Sequence, residues 1–115
     1  MHELAVTQSI LETVLEQAGR HGASRVVRVR LVKGELTDYV DETLQWLFET
    51  LAADTPAAGA EVVVQHRPIR FVCHACGNAY DVSREQFVVA CPRCGATDVE
   101  MTGGREFLLE SIEIE

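Results

Sequence analysis

Four cysteines stand in two matched pairs, Cys73-His74-Ala75-Cys76-Gly77 and Cys91-Pro92-Arg93-Cys94-Gly95, and they are all the cysteines in the chain. Two residues between thiolates let one tight turn aim both sulfurs at a single ion. Two such turns supply the four soft, anionic ligands of a tetrahedral Zn²⁺. The glycine after each second cysteine suits a metal-wrapping turn that needs a residue at positive φ. Residues 77–90 separate the pairs, a little short for such sites but long enough for a β-hairpin return. Two disulfides, a redox Cys-x-x-Cys pair and an iron–sulfur cluster compete for the same residues. No secretory signal is read in the sequence, the motif is doubled, and Pro92 lies inside the second pair. Closed structural zinc is the reading these features favour, with His74 beside the site rather than on the ion.

A second candidate is the amino terminus, Met1-His2-Glu3. A methionine is normally kept ahead of a residue as large as histidine, which leaves the α-amine on Met1. That amine, the backbone nitrogen of residue 2 and the imidazole Nδ1 can close a five- and a six-membered chelate ring in one plane. Three coplanar nitrogens suit Ni(II) or Cu(II) better than Zn(II) or Mg(II). Glu3, another side chain or a partner would complete the set. On spacing alone His2 also reads as an ordinary exposed residue, and His21, His66 and Met101 carry no second ligand nearby.

These residues need elements to position them. From Leu4 to Ala18, Val6, Ile10, Leu11, Val14, Leu15 and Ala18 form the stripe of a core-facing helix ended by Gly19 and Gly22. His2 thus lies within one turn of a packed helix. Residues 24–33 alternate as a half-buried strand, with Val27, Val29 and Leu31 opposite Arg28 and Arg30. Asp38 and Asp41 offer caps to a second helix whose stripe is Leu44, Leu47, Phe48 and Leu51. A loop over 54–60 leads to a β-branched strand over 61–67, stopped by Pro68. The final segment, 105–115, reads as a strand with Leu108, Ile112 and Ile114 on one face.

The order predicts an α/β (α+β) fold: a small mixed three-stranded sheet covered by two helices, with an inserted zinc-ribbon lobe. The expected division is a discontinuous α/β domain, 1–69 plus 105–115, around a zinc-binding domain at 70–104. The lobe's few packing residues, Phe71, Val72, Tyr80, Phe87 and Val88, make its stability depend on the metal.

Bulk properties narrow the function. The chain has 115 residues, 47% hydrophobic and 24% charged, with ten basic against eighteen acidic side chains and a net charge of −8. Such a chain repels phosphate unless its arginines cluster; Arg67, Arg70, Arg84, Arg93 and Arg105 fall in or beside the lobe, and no aromatics gather with them. The alternative function, a zinc-ribbon module for protein or nucleic acid, is weaker for that reason. A Cys₄ set leaves zinc no open position, and neither a nucleophile–base pair nor a phosphate loop is present, so no enzyme is expected. No membrane span, signal or lipidation motif is read, which points to the cytoplasm.

Met1-His2-Glu3, the amphipathic first helix, the Val-x-Val-x-Leu strand running to Gly34-Glu35-Leu36 and the late cysteine pairs together resemble the HypA/HybF family over essentially the whole chain. These are nickel-insertion proteins of [NiFe]-hydrogenase maturation. The resemblance implies a metallochaperone with His2 as nickel ligand, the Met1 amine and Glu3 contributing, and zinc on Cys73, Cys76, Cys91 and Cys94. It also implies a HypB-type GTPase partner, delivery of Ni²⁺ cargo to the hydrogenase large subunit and, for some members, service to urease maturation proteins. Gly103-Gly104 at the lobe's return would permit strand exchange in a homodimer.

Overall fold

The computed structural model describes residues 2–115. Helix α1 (His2–Arg20) buries Glu3, Thr7, Ile10, Leu11, Val14 and Ala18. Two polar residues therefore extend the predicted apolar stripe, while Val6 and Leu15 are only half-buried. The helix closes as expected of a glycine stop. Gly22 sits at φ 65, its N–H donates to Gly19 O at 3.1 Å, and Ala23 N–H donates to Ala18 O at 2.9 Å. These two bonds satisfy carbonyls that a helix end otherwise leaves unpaired.

Strand β1 (Val26–Gly34) follows, then helix α2 (Asp41–Ala52), which packs on α1 and buries Leu44, Leu47, Phe48 and Ala52. Capping differs from expectation. The N-cap is Val40, with no side-chain capping bond, and Asp41 is already the first helical residue. Asp41 and Glu42 still place negative charge in the first turn, where the helix dipole favours it. Between α2 and strand β2 (Glu61–Arg67), Asp54 at φ 67 and Gly59 at φ 77 form the predicted loop.

Strands β1, β2 and β6 (Phe107–Ile114) form one sheet, ordered β2-β1-β6. Ser24 and Arg25 N–H donate to Glu115 O, whereas Gly34 N–H donates to Glu106 O, so β1 and β6 run antiparallel. Val26 N–H reaches Pro56 O and Glu35 N–H reaches Arg67 O, so β1 and β2 run parallel. The sheet is mixed, as the element order implied, with α2 as the crossover between parallel neighbours. Gln45 Nε2 donates to Val62 O at 3.1 Å, tying α2 to β2.

The faces of β6 correct the expected pattern. Leu108 is 47% and Ile114 38% exposed, while Phe107, Leu109, Ile112 and Glu113 are half-buried. Glu110 and Ser111 are both exposed, so the alternation slips by one midway. Glu113 is half-covered by Arg28 and Arg30, which meet its two oxygens at 2.6 and 2.5 Å on the face of β1 opposite Val29 and Leu31.

A second sheet, not foreseen as such, has the order β4-β3-β5, from β3 (Ile69–Cys73), β4 (Ala79–Val82) and β5 (Val99–Gly103). Both pairings are antiparallel, with Phe71 opposite Tyr80 on one side and Met101 on the other. The described chain divides into two compact units. One takes the residues through Leu31, Asp38–Gln65 and Leu108–Glu115; the other takes Val32–Thr37 and His66–Phe107.

Within the second unit, two backbone stretches meet at Gly34. Gly34 N–H donates to Glu106 O and Leu36 N–H to Gly104 O, both at 2.7 Å, and Gly104 N–H donates to Glu106 Oε1 at 2.6 Å. A Cβ on Gly34 would stand 2.3 Å from the Gly104 backbone. Gly34→Ala should therefore cost at least about 2 kcal/mol, since the obstacle is main chain that cannot swing away. Gly19→Ala, with open space around it inside a helix, should stabilise by about 0.5–1 kcal/mol. Urea midpoints of the two variants check both signs.

Candidate metal centres

The second sheet exists to bring two knuckles together. Cys73 ends β3, and the chain turns through Cys76 back into β4. Gly77 N–H donates to Cys73 O at 2.8 Å, Cys73 N–H donates to Asn78 O at 2.9 Å, and Gly77 sits at φ 77. The second knuckle repeats this geometry. Gly95 N–H donates to Cys91 O and Cys91 N–H to Ala96 O, both at 2.8 Å, with Gly95 at φ 76. The glycines thus hold the left-handed position expected of them, which glycine adopts at no steric cost.

All four Sγ atoms lie within 4.8 Å of one another. Cys73 and Cys94 sulfurs are 3.6 Å apart, and those of Cys76 and Cys91 are 3.7 Å apart. A tetrahedron with Zn–S bonds of about 2.3 Å requires sulfurs about 3.8 Å apart, whereas a disulfide requires about 2.05 Å. The cysteines are free thiols at metal-ligand spacing, and the cluster fits structural zinc. One sulfur of each knuckle is buried (Cys73, Cys91) and one exposed (Cys76, Cys94).

The surroundings favour thiolate. Burial pushes the Cys91 thiol up, but the N–H groups of Cys94 and Arg93, the Cys76 thiol and the Asn78 amide outweigh it and hold the group at about 6. Asn78 Nδ2 stands 3.7 Å from Cys91 Sγ. Sequence reasoning passed over this residue. Its signal was positional, since Asn78 occupies in the first knuckle the place Ala96 takes in the second. Cys94 behaves oppositely. The Ala96 N–H favours its thiolate, but the Cys73 thiol, burial and the remaining cysteines push it up to about 11. Beneath the knuckles Phe71 stacks on Tyr80 at 5.7 Å between centroids and meets Phe87 edge-on at 5.6 Å. His74 is exposed, with Nε2 3.6 Å from Glu100 Oε1 and its backbone N–H on Asp98 O.

At the amino terminus, Met1 lies outside the described residues. His2 opens α1, is exposed, and faces the Tyr39 ring at 5.1 Å between centroids with a 52° tilt. Glu3 is only 7% exposed. Its Oε2 accepts the Val40 N–H at 3.4 Å, and its carbonyl accepts Thr7 Oγ1 at 2.6 Å. Its own N–H holds its carboxyl below the usual range; burial opposes this, and the Val40 N–H and the His2 charge reinforce it. Nothing in the sequence pointed to Tyr39. It precedes a helix and belongs to no motif.

The fold and the sulfur cluster define a small α+β metalloprotein with a zinc-ribbon unit. Residues 1–114 match the family described as "Hydrogenase/urease nickel incorporation, metallochaperone, hypA". A hydrogenase maturation factor HypA of Caldanaerobacter subterraneus is 39% identical over 116 residues, covering the whole of both chains. One from Dehalococcoides mccartyi is 34% identical, covering this whole chain and 95% of its own. The solution structure of the Ni metallochaperone HypA from Helicobacter pylori aligns with TM-score 0.66 at 22% identity, covering 97% of this chain and 96% of that one. A second HypA solution structure aligns with TM-score 0.76 at 23% identity, covering 100% and 97%. The chain belongs to the HypA family of nickel metallochaperones.

The thiol chemistry sets the pH dependence of zinc binding. Above about pH 6 Cys91 is already a thiolate, while the Cys94 proton must be displaced by the ion. Zinc affinity should therefore fall as pH drops, and about one more proton should be released per zinc below pH 6 than above it. Calorimetric zinc titration in buffers of different ionisation enthalpy counts those protons.

Proposed function

We propose that this chain binds Ni(II) at its amino terminus and hands it to the large subunit of [NiFe]-hydrogenase during maturation, and that it acts as a carrier rather than an enzyme. The ligands are the Met1 amine, the backbone nitrogen and Nδ1 of His2, and a contribution from Glu3. Zinc on Cys73, Cys76, Cys91 and Cys94 keeps the second unit folded. Its partners are a HypB-type GTPase and the hydrogenase large subunit, with urease maturation proteins as a further destination, and its setting is the cytoplasm.

The observation that carries the reading is the placement of His2 on the first residue of a 19-residue helix, beside a buried and doubly engaged Glu3. The first four N–H groups of a helix have no intrahelical acceptor. The His2 nitrogen can therefore lose its proton to a metal without breaking a helical bond. Glu3 spends its carboxylate on the backbone N–H groups of Val40 and of its own residue. Its contribution is then negative charge and a fixed first turn more than a necessary bond. The donors are hard and borderline nitrogens, unlike the sulfur set that retains zinc, and an incomplete shell releases its ion readily.

Calorimetric Ni(II) titration of zinc-loaded protein with an untagged Met1 tests this. Wild type should bind in the micromolar range, His2→Ala should lose that binding while keeping one zinc, and Glu3→Gln should weaken it less. Affinity should fall as pH drops from about 8 to 6, because imidazole and α-amine must shed protons to bind. Equal nickel binding by wild type and His2→Ala overturns the assignment.

A further inference from the structure

We propose that Tyr39 is a positioning residue of the nickel site, restricting the orientations open to the His2 imidazole before the metal arrives. This rests on the reading above that His2 is a nickel ligand.

The amino terminus of α1 is gripped at two consecutive points by two consecutive residues. Val40 takes the Glu3 carboxylate through its backbone N–H at 3.4 Å. Tyr39, one residue earlier, meets the His2 ring at 5.1 Å between centroids. Both lie immediately ahead of α2, which packs against α1, so a framework of two helices fixes the pair. Glu3 and Thr7 are buried at 7% and 2% exposure, which roots the first turn. His2 itself is exposed, and the Tyr39 ring is the aromatic neighbour that limits where its imidazole can turn.

The chemistry demands such a restraint. An exposed histidine samples several χ1 and χ2 wells, yet a chelate through the backbone nitrogen and Nδ1 of one residue accepts a single combination. A ring packed on the imidazole selects among those wells before the metal arrives. Aromatic pairs of this kind are worth about 3- to 10-fold in an equilibrium.

The test uses zinc-loaded, full-length, untagged protein and Ni(II) as the probe. Tyr39→Phe should keep wild-type affinity and the ligand-field spectrum of planar Ni(II). Tyr39→Leu should lose about 3- to 10-fold in affinity, with zinc content and far-UV circular dichroism unchanged. His2→Ala separates the two claims: if it binds nickel as wild type does, the site itself is wrong. If His2→Ala loses nickel while Tyr39→Leu matches wild type in affinity, or Tyr39→Phe falls as far as Tyr39→Leu, the role of the Tyr39 ring is overturned. A readout on wild-type protein stands apart from any folding defect. Planar Ni(II) is diamagnetic, so the Tyr39 ring proton resonances should shift without broadening as nickel is added. Resonances that stay in place through saturation refute the contact.

Discussion

Four sulfurs brought to one point make the second unit possible. Its buried apolar side chains are few: Val32, Ile69, Phe71, and the cysteines Cys73 and Cys91 themselves. Phe87, Val88 and Val89 are each nearly half exposed. A hydrophobic core of that size does not offset the conformational entropy of the unit's forty-eight residues. The knuckle turns make the problem worse, because they aim backbone N–H groups at Cys91 and hold it as a thiolate in a buried place. An anion there needs a counter-charge, and a divalent cation shared by four sulfurs supplies it. Folding and zinc binding in this unit are thus one event. Gly77, Gly95 and Asn78 shape the sulfur positions at least as directly as any apolar contact does.

Electrostatics elsewhere bear on what the acidic chain avoids. Arg70 pairs with Asp81 at 2.8 Å, and Arg84 donates to the carbonyls of Glu35 and Thr37. Arg28 pairs with both Glu61 and Glu113, and Arg30 with Glu113. Exposed pairs like these add little stability individually. Their consequence is that positive charge is neutralised where it arises. Of the five arginines that sequence placed near the zinc lobe, Arg70 is neutralised in this way and Arg84 is tied to backbone carbonyls, which works against a phosphate-binding stripe on a chain of net charge −8.

Much of the fold was legible because its signals are local. The stripe of α1, its Gly22 stop, the β-branched run of β2 and the doubled cysteine motif each follow from residues within a few positions of one another. What escaped depends on distant partners. Glu3 reads in sequence as a candidate further donor, yet it is buried and its carboxylate accepts the N–H of Val40, thirty-seven positions away. Val40 took the cap position from Asp38 and Asp41, a choice that helix-start rules do not predict for a β-branched residue. The second sheet was hidden because β4 is four residues long and its alternation is too brief to register. At the zinc centre, ligand identity was readable from spacing. At the terminus, the contact between His2 and Tyr39 was not.

The two metal centres illustrate opposite solutions to holding an ion. Zinc is enclosed by side chains from two knuckles, with soft anionic donors filling every position, and loss of the ion carries the cost of unfolding around it. On the proposed reading, nickel is held by the end of the main chain, where the donors are an amine, an amide and one imidazole. An amide nitrogen serves as a ligand only after losing its proton, and inside a helix that would sacrifice a hydrogen bond. At the first turn it sacrifices none. The positive end of the helix dipole also stabilises the negative charge the amide acquires, though it opposes a bare cation. The helix start therefore binds the metal through an anion it helps to create, and protonation reverses that binding without disturbing the fold. An ion carried in this way is given up by a change in ligand protonation or by donors from a partner, with α1 left intact.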